Sequence, residues 1–133
     1  MKNSVKNYFL VDYENVSENG LKGVNYLDGN DNVYIFYSKN NEPQTIKHKD
    51  LYRFSTNAKV KYVPLQKTGK NALDFMIAYE VGSLSENNTQ CSVSIISEDN
   101  GFKVLKTNLE SSGNIKNVNL NVFPNISIAK RGK

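Results

Sequence analysis

The sequence predicts an α/β fold in three layers, with a mainly parallel five-stranded sheet between two layers of helices. Short apolar runs rich in Val, Ile, Tyr and Phe alternate along the chain with segments of helical period. Strands that alternate with helices are joined by right-handed crossovers, which leave the strands parallel and cover both faces of the sheet. Acidic residues follow two of the apolar runs, which agrees with a sheet that binds ligands at the carboxyl ends of its strands.

The individual elements follow from these patterns. Five apolar runs are predicted to be strands: Val5–Val11, Val33–Tyr37, Val60–Leu65, Val93–Ile96 and Val118–Phe123. Four intervening segments are predicted to be helical: Gly20–Leu27, Gln44–Phe54, Asn71–Leu84 and Gly101–Leu109. In the last strand asparagines alternate with apolar residues, which is typical of an edge strand with one wet face. The basic segment Lys130–Lys133 is expected to be a frayed terminus, with a nucleic-acid-binding arm as the alternative.

Composition limits the class of protein. The chain has 133 residues, the size of one domain, and we treat residues 1–133 as a single domain. Its 17 Lys and Arg against 13 Asp and Glu give a net charge of +4, a mild preference for polyanionic partners. The lone Cys91 excludes an internal disulfide, and no signal peptide or membrane-spanning run is visible. We therefore expect a cytoplasmic protein with no membrane partner.

Three aspartates stand where a carboxylate is hard to explain by structure alone. Asp12 and Asp99 each follow an apolar run, and Asp74 interrupts the apolar face of the best predicted helix. Half-buried carboxylates are costly unless a positive charge compensates them, and a divalent cation does so economically. Oxygen ligands favour Mg²⁺ or Mn²⁺, whereas one His and one Cys argue strongly against a zinc site.

Topology would bring these aspartates together. An open α/β sheet binds ligands where the strand order reverses. If the order is 3-2-1-4-5, the strands before Asp12 and Asp99 are neighbours, and their carboxylates converge. The helix that carries Asp74 precedes the fourth strand, so its first turn can reach the same crevice.

Each aspartate also has a purely structural explanation. Asp74 would complement the dipole of its helix, Asp12 would form a turn through its side chain, and Asp99 would cap the following helix. Three such coincidences at one end of one sheet are much rarer than any one of them. The combination therefore favours a metal-dependent nuclease over three separate caps and turns.

Three segments resemble the acidic motifs of PIN-like domains, and they span nearly the whole chain in the same order and spacing. They are Leu10–Asn15, Asn71–Ala78 and Ile95–Phe102. The similarity is closest to the NYN-type branch, in which an Asp-x-x-Asn follows the first strand. It implies a Rossmann-like, PIN-like sheet and a Mg²⁺- or Mn²⁺-dependent ribonuclease. It also implies that Asp12, Asp74 and Asp99 are the catalytic metal ligands.

One position departs from that pattern. Many NYN members carry a second Asp where this chain has Gly101. The departure leaves open whether one or two metals bind and whether Glu14 or Glu98 substitutes for the missing acid. It also supports an alternative, a catalytically weakened PIN-like module that binds RNA or a protein partner without cleavage.

Several polar residues near the same strand ends are predicted to support the site or to bind substrate. They are Glu14, Asn15, Ser38, Lys39, Lys67, Lys70, Ser97 and Glu98. Asn15 would orient Asp12, and Ser97 would bond a ligand carboxylate or a loop amide. Lys67 and Lys70 flank a turn into the next helix, where a phosphate would be favoured. The turn lacks the spacing of a nucleotide-binding loop, so no nucleotide cofactor is expected.

Single-stranded RNA is the expected partner, because an open crevice admits a flexible strand. Tyr13 and Tyr37 lie near strand ends and could stack on bases, with core packing as the alternative. A homodimer is compatible with this hypothesis, and the sequence does not choose between RNA and DNA. A receiver-like signalling domain also holds Mg²⁺ with acids, but Tyr62–Gln66 has no acid at the phosphoacceptor position.

Overall fold

The computed structural model describes residues 5–38, 55–67, 69, 71–87, 90–113 and 115–131. The strands are β1 (Lys6–Asp12), β2 (Asp31–Ser38), β3 (Lys59–Leu65), β4 (Cys91–Ile96) and β5 (Val118–Phe123). The α-helices are α1 (Tyr13–Val16), α2 (Ala72–Asn87), α3 (Gly101–Ser112) and α4 (Ile126–Arg131). Two short 3₁₀ turns, Ser17–Leu21 and Val24–Tyr26, lie between α1 and β2.

The five strands form one sheet, and every pair of neighbours is parallel. The order is β3-β2-β1-β4-β5, which confirms the predicted fold class and strand order. The register aligns Val11 of β1 with Ile96 of β4, so Asp12 and Ser97 leave the sheet side by side. The topological switch point therefore lies between the carboxyl ends of β1 and β4.

Two apolar cores cover the two faces of the sheet, and its central strands are therefore buried on both sides. Leu10, Phe36 and Ile95 face one core, where α2 and Phe102 of α3 pack. The opposite core holds Phe9, Val11, Ile35 and Ile96, covered by the two 3₁₀ turns and α4. The strands of a sheet that is buried on both faces are nearly continuous apolar runs, and this is why the sequence predicts β1 and β4.

Helix α2 has the apolar stripe that its sequence predicts. Its buried residues are Leu73, Ile77, Val81 and Leu84, spaced so that they share one helix face. The helix continues three residues beyond the predicted end, to Asn87. Asp74 is half-buried in its first turn, at the end of the helix that meets the carboxyl ends of the strands.

The segment Gly20–Leu27 is not one helix, as predicted, but parts of two 3₁₀ turns separated by Gly23. Gly23 has a φ of 98°, and a Cβ there would lie 2.7 Å from the backbone of Ser127. The close approach of α4 therefore requires glycine and interrupts the helical path. The predicted helix Gln44–Phe54 lies outside the described residues.

The expectation that the basic C-terminal segment frays is wrong for Lys130 and Arg131, which belong to α4. Ile126 and Ala129 of this helix are fully buried, and Lys130 Nζ lies 3.1 Å from Asp31 Oδ2. Apolar burial and this ion pair hold the helix against the sheet. Over the ranges that the structure describes, none of the helices has the length and apolarity needed to cross a membrane.

Candidate active site

An open cavity of about 270 Å³ lies at the carboxyl ends of the strands, beside the first turn of α2. Its described lining consists of Asp12, Glu14, Asn15, Ser38, Leu65, Gly69, Asn71, Ala72, Leu73, Asp74 and Asp99. Asp12 ends β1, Asp99 precedes α3, and Asp74 comes from the first turn of α2. The fold thus gathers carboxylates from three distant segments around one space, as the strand order predicts.

Asp12 is the most buried of these carboxylates, with 3% of its surface exposed. Burial raises its pKa to about 6, and the charges of Asp74 and Asp99 act in the same direction. Hydrogen bonds from the Ser97 hydroxyl and the Asn15 backbone N–H partly oppose that rise. A carboxylate this buried among like charges favours any cation that reaches it.

Ser97 connects the two strand ends. Its hydroxyl donates to Asp12 Oδ2 at 2.9 Å. The Ser97 Oγ also accepts a hydrogen bond from the backbone N–H of Asp99 at 3.0 Å. Ser97 is buried, so these bonds are shielded from water. Ser97 therefore orients the Asp12 carboxylate and fixes the backbone of Asp99 together.

Asn15 makes a second connection between the same segments. Its side-chain Oδ1 accepts the backbone N–H of Glu98 at 2.7 Å. Its own backbone N–H donates to Asp12. The hydrogen bond to Asp12 thus comes from the Asn15 backbone, which any residue except proline would supply, and the amide side chain bonds instead to the loop of Asp99.

Asp99 and Gly101 form a tight turn at the start of α3. Asp99 Oδ1 accepts the backbone N–H of Gly101 at 2.8 Å. This bond to the first turn of α3 is the capping role predicted for Asp99, although the residue that directly precedes the helix is Asn100, whose side chain makes no capping hydrogen bond. A Cβ at position 101 would stand 3.2 Å from Asp99 Oδ1, a distance at which the carboxylate has to shift.

Asp74 faces the cavity from the opposite wall. Burial raises its pKa, and the negative charge of Asp99 raises it further. Asp74 also lies in the first turn of α2, where it complements the helix dipole, so both explanations of this residue apply to it. The three aspartates interact electrostatically across the cavity.

The charge of the lining favours a divalent cation. It contains four acidic side chains, and none of its described residues is Lys, Arg or His. Across the ranges with described coordinates, no group of three or more His, Cys, Asp or Glu side chains is close enough to hold a metal ion by itself. Mg²⁺ seldom needs such a cage, because it keeps several waters and binds proteins through one or two carboxylates. The donor set fits a hydrated cation of this type.

The remaining predicted site residues separate into three groups. Glu14 and Ser38 line the cavity, as expected. The Lys67 and Glu98 side chains are exposed and do not line it, although the Glu98 backbone contributes through Asn15. Lys39 and Lys70 lie outside the part of the chain that the structure describes.

Tyr13 and Tyr37 do not present their rings for base stacking. They are 3% and 7% exposed and belong to the core formed with the 3₁₀ turns, so the stacking hypothesis is wrong and the core alternative is confirmed. Among residues the sequence did not assign to the cavity, Asn71 and Ala72 line it at the start of α2. Their position two and three residues before Asp74 was the available signal.

Strand order and the acidic cavity together define the class: an all-parallel α/β protein whose candidate ligand site lies at the switch point of its sheet. A family model described as a PIN domain matches residues 6–118. The chain therefore belongs to the PIN domain family, whose members are in general metal-dependent nucleases that act on nucleic acid. The PIN-like resemblance is confirmed, and the NYN-type branch stays a prediction. No curated protein and no solved structure gives a significant match to the chain.

Proposed function

We propose that this PIN domain is a Mg²⁺- or Mn²⁺-dependent ribonuclease that hydrolyses phosphodiester bonds of single-stranded RNA. The observation that carries the proposal is the shared acidic cavity. Asp12, Asp74 and Asp99 line it together, and burial and neighbouring carboxylate charges raise the pKa of Asp12 and Asp74. Such a cavity is poorly suited to a phosphate unless a cation first neutralises it.

One or two of Asp12, Asp74 and Asp99 would ligate the cation directly, and the remaining acids, Glu14 among them, would contact waters that the cation keeps. When bound, the cation would neutralise charge on the phosphate and lower the pKa of an attacking water. Ser97 and the Asn15 backbone hold the Asp12 carboxylate in one orientation through the bonds described above. These two residues act as positioning residues.

The first turn of α2 is the candidate for binding the substrate phosphate. Asn71 and Ala72 line the cavity at the N-terminus of this 16-residue helix. The Ala72 N–H donates to the Gly69 carbonyl and the Phe75 N–H to the Asn71 carbonyl, so the amides of Leu73 and Asp74, with the positive end of the helix dipole, would bind the anion. A phosphate held in this way would lie beside the carboxylates that bind the cation.

We also propose that the domain belongs to the NYN-type branch of the family. Asp12 and Asn15 keep the Asp-x-x-Asn spacing, and Asn15 bonds to the loop that carries Asp99. This bond supports a structural reason for the Asn of the motif. It ties the first acidic motif to the third.

The alternative is a module that binds RNA or a protein partner without cleaving. Gly101 favours it, because the acid that many NYN members carry at this position is missing and Asp99 is engaged by the Gly101 N–H. Such a module would bind RNA with a strong dependence on salt. It would release no shorter products.

Cleavage of end-labelled single-stranded RNA in Mn²⁺, Mg²⁺ or EDTA separates the two functions. Asp12→Asn and Asp99→Asn are compared with Asp28→Asn. Asp28 is an exposed aspartate just before β2, at the amino ends of the strands and away from the cavity. Metal-dependent cutting that is lost in the first two variants and kept in the third supports the nuclease. RNA binding that EDTA leaves unchanged, with no cutting by wild type, contradicts it and supports the binding module.

A further inference from the structure

Helix α2 carries aromatic side chains on the face opposite its buried stripe. Phe75 is 69% exposed and Tyr79 is 70% exposed, and Met76 beside them is 41% exposed. With about 100° between successive residues, Phe75 and Tyr79 lie one turn apart on the side that faces away from the sheet. Large apolar side chains this exposed on a helix that is already packed on its other face indicate a contact with something else.

This aromatic face begins at the candidate active site. Phe75 directly follows Asp74, which lines the acidic cavity, and Tyr79 lies about 6 Å further along the helix axis. The distance from one nucleotide to the next in an extended strand is of the same order. A strand whose phosphate binds at the start of α2, beside the cation, would pass its next bases over these rings.

Charge also favours bases over phosphates on this face. The acids nearest this face are Asp74, which lines the cavity, and the half-buried Glu80, which lies on another side of the helix and whose charge, after burial, helps to raise the pKa of Tyr34. Among the described residues, none of those on the outer face between Phe75 and Tyr79 is charged. Further along, a shallow groove of about 490 Å³ is lined by Tyr79, Gly82 and Glu86 among others. Its carboxylate discourages a phosphate backbone from continuing past Tyr79.

We propose that Phe75 and Tyr79 form a stacking platform for one or two unpaired bases next to the phosphate at the acidic cavity. The inference rests on the proposed function, because it requires nucleic acid at that cavity. It supplies the aromatic surface that Tyr13 and Tyr37, both buried, do not. Bases in a duplex are already stacked on one another, so the platform selects single strands.

Tryptophan fluorescence tests the platform directly, because the chain contains no Trp. Phe75→Trp places one reporter on the platform, and Val104→Trp places one at a 59% exposed position on α3. Each variant is titrated with a fluorophore-labelled single-stranded RNA, in Ca²⁺ and again in EDTA, and RNA anisotropy reports binding independently. We expect saturable quenching in Phe75→Trp and none in Val104→Trp.

Affinity gives the second readout. Phe75→Ala and Tyr79→Ala should each weaken single-stranded RNA binding by about tenfold, while Val104→Ala leaves it unchanged. Binding to a blunt duplex of the same sequence should be weak in wild type and unaffected by either substitution. The binding readout does not require cleavage, so a platform without cutting would contradict the nuclease and retain this inference.

Three results would overturn the platform. One is wild-type protein that binds no single-stranded RNA in either buffer. Another is full RNA binding with no quenching of the Phe75→Trp variant and unchanged affinity in both alanine variants. The third is protein self-association, measured by light scattering, that Phe75→Ala abolishes while RNA binding stays intact, since the face would then serve a second copy of the chain.

Discussion

The Ser97 hydroxyl donates a hydrogen bond of 2.9 Å to Asp12 Oδ2, and the two residues lie 85 positions apart in the sequence. This bond joins the carboxyl ends of β1 and β4 at the switch point of the sheet. It also lowers the pKa of a carboxylate that burial raises. The bond thereby keeps Asp12 more readily ionised than its surroundings alone would allow.

Ser97→Ala should weaken Mn²⁺ binding by about tenfold, because the lost hydrogen bond releases Asp12 and frees the Asp99 backbone. The loss of unfolding free energy should be about 1 kcal/mol. Mn²⁺ titration followed by calorimetry, together with urea unfolding, measures both quantities.

Ser94→Ala is the matched control for this change. Ser94 lies on β4, and its buried hydroxyl has no hydrogen-bond partner in the described structure. Its removal should leave metal binding unchanged and stability equal or slightly higher. Equal effects of the two substitutions on Mn²⁺ affinity would contradict the positioning role of Ser97.

Asp12→Asn should stabilise the metal-free fold at neutral pH, although it should abolish activity. The pKa of Asp12 rises from 3.8 to about 6 on folding, so ionisation above pH 6 costs up to about 3 kcal/mol of unfolding free energy. A raised folded pKa contributes stability that is complete below the unfolded pKa and is lost as the pH rises through about 6. The advantage of the variant should therefore be largest above pH 6 and vanish near pH 4.

Urea unfolding in EDTA at pH 4 and pH 7.5 measures this difference. Added Mn²⁺ should reverse this difference in stability, because it should raise the urea midpoint of wild type more than that of Asp12→Asn. A variant that is less stable than wild type at pH 7.5 in EDTA would show that burial does not penalise this carboxylate.

Lys130→Ala should destabilise the fold by about 1–3 kcal/mol, because it leaves the fully buried Asp31 without its counter-charge. Burial raises the pKa of Asp31, but hydrogen bonds from the Asp28 N–H, the Asn7 amide and Lys130 more than offset it, and the pKa is lowered. A lowered folded pKa gives stability that is present above the unfolded pKa and lost as the pH falls through the folded one.

Lys106→Ala removes an exposed ion pair with Glu110 on α3 and serves as the control, with an expected cost below about 0.5 kcal/mol. Thermal unfolding at pH 7 compares the two variants. If the two substitutions cost the same, the Lys130 pair does not hold α4 in place.

Gly101→Ala should reduce cleavage at least tenfold while the domain stays folded. The new Cβ would press on Asp99 Oδ1 from 3.2 Å and shift a candidate metal ligand. Gly82→Ala is the comparison, because a Cβ there meets nothing within 4 Å and should stabilise α2 by about 0.5–1 kcal/mol. Undiminished activity of Gly101→Ala would argue against Asp99 as a ligand.

Local patterns were sufficient for much of the fold. The apolar runs located all five strands to within about two residues at each end, and the 3.6-residue period located α2 with its buried stripe. Helix α4 was missed because it is only six residues long and is stabilised by distant contacts, chiefly Gly23 and Asp31. A six-residue segment holds no helical period that could be recognised.

The sequence by itself determined which segments form strands and that acids follow two of them, because pleat and helix periods are properties of neighbouring residues. Only the tertiary structure decided which side chains meet. It directs the Tyr13 and Tyr37 rings into the core, and it brings Ser97 to Asp12. Those contacts depend on which strands lie side by side in the sheet, and the pattern of neighbouring residues does not encode the pairing of strands that are distant in the chain.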